Sequence, residues 1–115
     1  MSSIYHLITH SQWELSKHQN THEADTLATE GFIHCSATLE QLLRVANRLY
    51  SERTDMLALV INITQLTSQL KEEPSRSGEI YPHIYGPLNL DAVTETLEFI
   101  IESEIFVAVK PSPST

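Results

Sequence analysis

Residues 56–63 read MLALVINI, Met56 to Ile63, the most apolar run in the chain. A short unbroken apolar run of this kind is the pattern of a strand covered on both faces. It is expected to be the central strand, and the rest of the chain is read outward from it. On the N-terminal side, IYHLIT (residues 4–9) is a β-rich run and predicts a first strand. Ser11 and Glu14 have the spacing of a capping box, which predicts a short helix to about Lys17 or His18. His18–Leu27 is polar and aperiodic, hence a loop. GFIHCS (residues 31–36) predicts a second strand. Thr38 and Gln41 form a second capping box, and Leu39, Leu42, Leu43, Ala46, Leu49 and Tyr50 recur at helical spacing. An amphipathic helix from Leu39 to Tyr50 follows.

Beyond the central run, Gln65–Ser77 is polar with one proline and predicts a helical turn followed by a mobile loop. Glu79–Leu88 (EIYPHIYGPL) is extended, but Pro82 and Pro87 cannot donate to a ladder, so an edge strand or shaped loop is expected. Asp91–Val93 suits one turn. Thr94–Ile101 and Ile105–Lys110 predict closing strands joined at Glu102–Glu104. Strands outnumber helices and do not alternate with them regularly. The reading is therefore α+β: one small domain over residues 1–110, a mostly antiparallel sheet with two or three short helices, and a disordered tail at 111–115.

Composition narrows the function. The chain has 115 residues, with 7 Lys+Arg against 15 Asp+Glu and a formal charge of −8. A generic nucleic-acid binder needs a basic stripe, which this chain is too acidic to supply. A 41% hydrophobic content is enough for a packed core. No apolar run approaches the roughly 20 residues of a membrane span, and Met1–His10 lacks the basic start of a signal peptide. The lone cysteine, Cys35, excludes an internal disulfide and suits a buried, inert strand position. A cytoplasmic location is expected. With only 3 glycines and no glycine-rich strand-to-helix turn, a P-loop and a Rossmann fingerprint are absent.

The chain carries 6 histidines, and the imidazole is the side chain that titrates near neutral pH. In an extended GFIHCS segment, Phe32, His34 and Ser36 share a side, while Ile33 and Cys35 face the core. His34 and Ser36 then fit either a ribose or phosphate site with general-base chemistry, or a structural histidine beside a helix-capping serine. Tyr81, His83 and Tyr85 share a side of the YPHIYGPL segment. They make either a wall for a planar ring or an aromatic patch on the core edge. His6 lies between Ile4 and Ile8, as a core histidine or as a ligand group. His10, His18 and His22 are expected in solvent. Zinc held by His6, His34 and His83 is a further arrangement, although no short-range ligand pair supports it in the strands. Arg44 and Arg48, one turn apart with Glu40 and Glu52 nearby, make either a salt-bridged face or a phosphate clamp. Glu79 is the best-placed acid for a general base or a ribose hydroxyl. Glu95, Glu98, Glu102 and Glu104 read as a solvated acidic edge.

Taken together, IYHLIT, GFIHCS, the helix ending VANRLY and YPHIYGPLNLDAV resemble a widespread bacterial family, with some plant members, catalogued as a domain of unknown function. The resemblance runs from about Ile4 to Val109. By fold that family is distantly similar to ADP-ribosyltransferase-like domains, including RNA 2′-phosphotransferases. The resemblance implies a split β-sheet whose cleft grips NAD. It implies that His6 matches the first-strand position and that His34 and Ser36 match a His-x-Ser block. Glu79 stands in the right part of the chain for the acid, but outside a recognisable motif. A charge of −8 argues against an RNA substrate. The expected function is a His-lined cleft for NAD or a related small-molecule nucleotide, with His34 and Glu79 catalytic. His6, Ser36, Arg44, Tyr81, His83 and Tyr85 are the expected ligand-binding residues. Transfer or hydrolysis of ADP-ribose would be the reaction, with NAD as substrate and no certain cofactor. The alternatives are a non-catalytic ligand-binding or protein-interaction module, and a zinc-dependent enzyme.

Overall fold

The central position expected for MLALVINI is where β4 (Met56–Asn62) lies. In the computed structural model, which describes residues 3–112, β4 pairs with β1 (Ser3–Thr9) on one side and β8 (Val93–Glu102) on the other. The strand β9 (Ile105–Pro111) closes an antiparallel sheet of order β1-β4-β8-β9. The unbroken apolar run follows from burial on both faces. Leu57, Leu59 and Ile61 pack with Ile4 and Ile8 into one core, and Ala58 and Val60 pack with Leu97 into another. Each fully buried Leu or Ile of this kind stabilises the fold by roughly 1.5–3 kcal/mol.

The helix α3 (Leu39–Tyr50) covers the second core through Leu42. Its Thr38 cap accepts the Gln41 N–H at 3.0 Å, as the sequence predicts. Leu39 and Leu49 are exposed, so the buried stripe is narrower than the periodicity suggests. The helix α1 (His10–Lys17) begins earlier than expected. Thr9, not Ser11, is its cap and accepts from the Gln12 N–H at 3.1 Å, two residues upstream of the expected cap.

A second layer folds over the first core. There β3 (Ile33–His34), β6 (Ile80–Tyr85) and β5 (Gln69–Pro74) form a sheet of order β3-β6-β5. Beside it β2 (Thr21–His22) pairs with β7 (Leu88–Asn89). Ile33, Cys35 and Ile84 turn inward, as expected for GFIHCS. Three expectations fail in this layer. The polar stretch expected as a helical turn and then a mobile loop does open on a 3-10 turn, at Ile63–Gln65, but the expected loop holds β5, whose exposed face tolerates polar residues. The expected loop at His18–Leu27 contains β2 and the start of α2 (Asp25–Glu30), which ends at Gly31 with φ of 89°. And β6 is a central strand despite Pro82. The Pro82 carbonyl accepts the Cys35 N–H at 3.1 Å, so the proline nitrogen also faces β3. Pro82 stands opposite Cys35, so the return bond to the Cys35 carbonyl is the one the proline leaves unmade, just beyond the last paired residues of β3 and β6.

Ser36 joins the two layers. It exchanges both backbone hydrogen bonds with Tyr5, at 2.9 and 2.7 Å. In an antiparallel pair the next such rung lies two residues on, and here it would join Leu7 to His34. That rung is not made. Alternation along β1 sends the Leu7 N–H and C=O the same way as those of Tyr5, away from β4 and into the gap. At the other end of the chain Pro111 still pairs with Leu97, and the Ser112 N–H donates to the Thr96 carbonyl, so the ordered chain passes the expected boundary at residue 110. The rest of the expected tail, 113–115, lies outside the described residues. Among the described residues no helix is long and apolar enough to cross a membrane.

Candidate functional site

A cleft of about 840 Å³ lies along the parted strands β1 and β3. His6, His22, His34 and His83 all line it. His6 is buried and holds the split open: its Nδ1–H donates to the His34 carbonyl at 2.7 Å, occupying the acceptor that Leu7 would otherwise use. A carbonyl only accepts, so the neutral His6 ring keeps its proton on Nδ1 and leaves Nε2 as an acceptor. Desolvation, with His22 close by, lowers its pKa to about 4. His22, expected in solvent, is 3% exposed because β2 pairs with β7 over it. Its Nδ1 shares a 2.8 Å hydrogen bond with the Ser16 hydroxyl, and its Nε2 is buried without a partner. Burial lowers its pKa as well. The two rings lie 5.2 Å apart with no carboxylate bonded to either.

The other histidines are acid-backed. His34 and His83 stand directly opposite one another on β3 and β6, with rings 5.4 Å apart. His34 Nε2–H donates to Glu30 at 3.2 Å, an exposed contact. His83 Nδ1–H donates to Glu73 at 2.7 Å. The Tyr85 hydroxyl donates to the same oxygen, and Phe32 stacks on the His83 ring at 4.0 Å. The Tyr85 and His83 hydrogen bonds hold the Glu73 carboxyl below the usual carboxylate range, while the Tyr85 phenol is pushed up.

The structure therefore brings His6, His34, Ser36, Tyr81 and His83 to one cleft, but not Glu79, Arg44 or Tyr85. Glu79 accepts from Gln41 (2.9 Å), from the Tyr81 hydroxyl (3.0 Å) and from Arg44. These bonds, that of Gln41 foremost, lower its pKa and clamp it between α3 and β6, outside the cleft. Arg44 spends its charge on Glu79, neither pairing with Glu40 nor lining the cleft. Tyr85 lies behind His83 on Glu73. Ser36 contributes its backbone to the bridge with Tyr5, and Thr38 caps α3 in its stead. His10 and His18 are exposed, as expected. Among the described residues no three His, Cys, Asp or Glu side chains converge for a metal, so His6, His34 and His83 do not make the zinc arrangement. Cys35 is buried, and burial pushes its thiol up.

Sequence reading missed His22, Glu30, Glu73 and, of the cationic rim, Arg53 and Arg76, having weighed only Arg48 as part of a phosphate clamp. Arg48, Arg53 and Arg76 line the cleft, three of the chain's 7 cations. Arg53 is paired with Asp55. Among the described residues Arg48 and Arg76 have no carboxylate within ion-pair distance. In an acidic chain, free arginines gathered at one cleft draw anions toward it.

The chain is similar to protein CC0527 from Caulobacter crescentus. Its crystal structure superposes with a TM-score of 0.81 at 28% identity, covering 96% of this chain and 94% of that one. Its solution NMR structure gives 0.77 at 28% identity over 90% of each chain. No curated protein matches the chain. A family model described as "Protein of unknown function (DUF952)" matches residues 7–96.

Proposed function

The chain belongs to the DUF952 family, and from its site geometry we propose that the cleft binds a nucleotide of the NAD type. The observation that carries this reading is the open rung at Leu7. A backbone N–H and C=O pointing together into a cleft complement a planar carboxamide, which accepts through oxygen and donates through nitrogen. The neutral His6 and His22 beside it suit uncharged groups such as sugar hydroxyls. Arg48 and Arg76 suit the phosphates. Tyr81 offers a face for a planar ring. The resemblance to ADP-ribosyltransferase-like domains, which grip NAD in a split-sheet cleft, supports the same assignment. The reaction that fits is hydrolysis or transfer at the bond between nicotinamide and ribose. His34 and Glu30 border the reacting sugar, in place of the Glu79 expected from sequence.

Binding without turnover is the second reading, favoured by the commitment of Glu79 to Gln41 and Arg44 outside the cleft. Calorimetry with NAD, ADP-ribose and nicotinamide tests the binding. The expected result is a Kd for NAD tighter than about 1 mM, weakened by Arg48→Gln or Arg76→Gln, while nicotinamide alone is unaffected by either. No binding at millimolar NAD, with His34→Ala changing nothing, sinks the proposal. Release of nicotinamide separates the enzyme from the binding module.

A further inference from the structure

We propose that Glu73 and His83 form the proton-accepting couple of the cleft, with His83 Nε2 as the base that takes a proton from water or an acceptor hydroxyl and Glu73 as its positioning residue. The inference rests on the NAD reading above.

Three features single out this pair. The first is tautomer. Glu73 is held as a carboxylate and can only accept, so the neutral His83 ring carries its proton on Nδ1. Nε2 is left bare, on a ring that lines the cleft. The second is rigidity. The His83 side chain is 11% exposed, stacked under Phe32 at 4.0 Å and tied to Glu73 at 2.7 Å, and Glu73 is itself pinned by the Tyr85 hydroxyl. His34 differs on each count. Its side chain is 52% exposed, and its bond to Glu30 is 3.2 Å long. A base works best when its orientation is fixed before substrate arrives. The third is incompleteness. A carboxylate oriented behind an imidazole is two members of a three-part arrangement, and among the described residues no hydroxyl or thiol bonds His83 Nε2. Substrate or water must supply the third.

For hydrolysis of NAD, the water oxygen forms a bond to C1′ of the ribose as the C1′–N1 bond breaks. The electron pair of that bond leaves with nicotinamide and neutralises its ring. One water proton passes to His83 Nε2 and then to solvent. The products are ADP-ribose and nicotinamide, and no further reactant is needed.

The experiment has two arms. Ring ¹⁵N NMR of the ligand-free protein reads the His83 tautomer, expected to be Nδ1–H in the native chain and altered in Glu73→Gln. Nicotinamide release from saturating NAD is then compared among variants. His83→Gln is expected to lower kcat by about 100-fold or more. Glu73→Gln is expected to lower kcat about tenfold with KM unchanged, and Glu73→Asp to recover part of that loss. An Nε2–H tautomer in the native chain overturns the proposal, as does NAD that binds with normal heat but is not turned over. Equal loss of binding and turnover in Glu73→Gln also overturns it, since that marks a structural role. Absence of any binding heat overturns the NAD reading together with this one, and calorimetry tells that outcome apart from the others.

Discussion

The two histidine pairs of the cleft differ in what stands behind them. His6 and His22 sit 5.2 Å apart, buried, and their ring nitrogens bond only to a backbone carbonyl and a serine hydroxyl. His34 and His83 sit 5.4 Å apart, and each bonds a carboxylate. Spacing is nearly the same, so spacing does not set the chemistry. Burial lowers the pKa of both rings of the first pair, with Asp25 and Glu23 offsetting only part of the effect at His22, and suits the pair to neutral groups. Carboxylates fix the tautomer of the second and suit it to moving protons. One cleft thus carries a neutral wall, from His6 on β1 and His22 on β2, and an acid-backed wall, from His34 on β3 and His83 on β6.

The largest effect that could break this comparison is acid sensitivity from the neutral pair. Unfolded, His6 takes its proton near 6.5, and folded only at about 4. Between those values the unfolded chain binds more protons than the folded one, so stability falls as pH drops from 6.5 to 4 and falls no further from this residue below that. The loss from His6 is roughly 3 kcal/mol, and His22 adds to it in the same direction. His6→Asn keeps a donor for the His34 carbonyl but does not titrate, so urea midpoints measured across this pH range should flatten in that variant. An unchanged slope would mean that His6 is charged in the folded state, and the distinction between the pairs would be lost.

The sheet and the His6 half of the neutral wall were legible in the sequence, and His22 and the layer carrying most of the second wall were not. MLALVINI, IYHLIT and the Leu39–Tyr50 periodicity report burial directly, because apolar side chains are selected by the faces they cover. His34, Ser36, Tyr81 and His83 were placed on their sides by alternation alone, and the His34–His83 register put them together. By contrast α2 (Asp25–Glu30) has no buried residue and no side-chain cap bond, so nothing in its composition marks a helix or points Glu30 at His34. The strand β5 is exposed along most of one face and reads as a loop. Glu73 reaches His83 only because β5 pairs with β6 in a register that the sequence does not encode locally. His22 lies among polar neighbours and is buried by a two-residue strand. Glu79 was singled out for its position in the chain, and its hydrogen bonds to Gln41, Tyr81 and Arg44 depend on where α3 docks.

A smaller effect sharpens the comparison by loosening one wall alone. Phe32 stacks on His83, meets His34 edge-on at 4.8 Å and lies 5.3 Å from Tyr85. It touches the acid-backed pair, while His6 and His22 stand on β1 and β2. Phe32→Leu keeps apolar volume but removes the ring contacts, and is expected to cost about 1 kcal/mol by urea unfolding. The ring resonances of His34 and His83 should move and those of His6 and His22 should not. Shifts in all four would show that the two walls form one unit.

The smallest effect concerns the exposed contact at His34. Its partner Glu30 is about half exposed, and an ion pair so open to water contributes between nothing and about 0.5 kcal/mol. Glu30 is also the last residue of α2, where a negative charge opposes the helix dipole. Glu30→Gln removes a weak attraction and a weak repulsion together, so its unfolding midpoint should stay within about 0.5 kcal/mol of the native chain. Added salt should do equally little, because both effects are screened alike. A larger loss would place His34 and Glu30 in the same fixed class as His83 and Glu73. The acid-backed wall would then hold two rigid couples, and the choice of His83 over His34 as the base would lose the rigidity on which it rests.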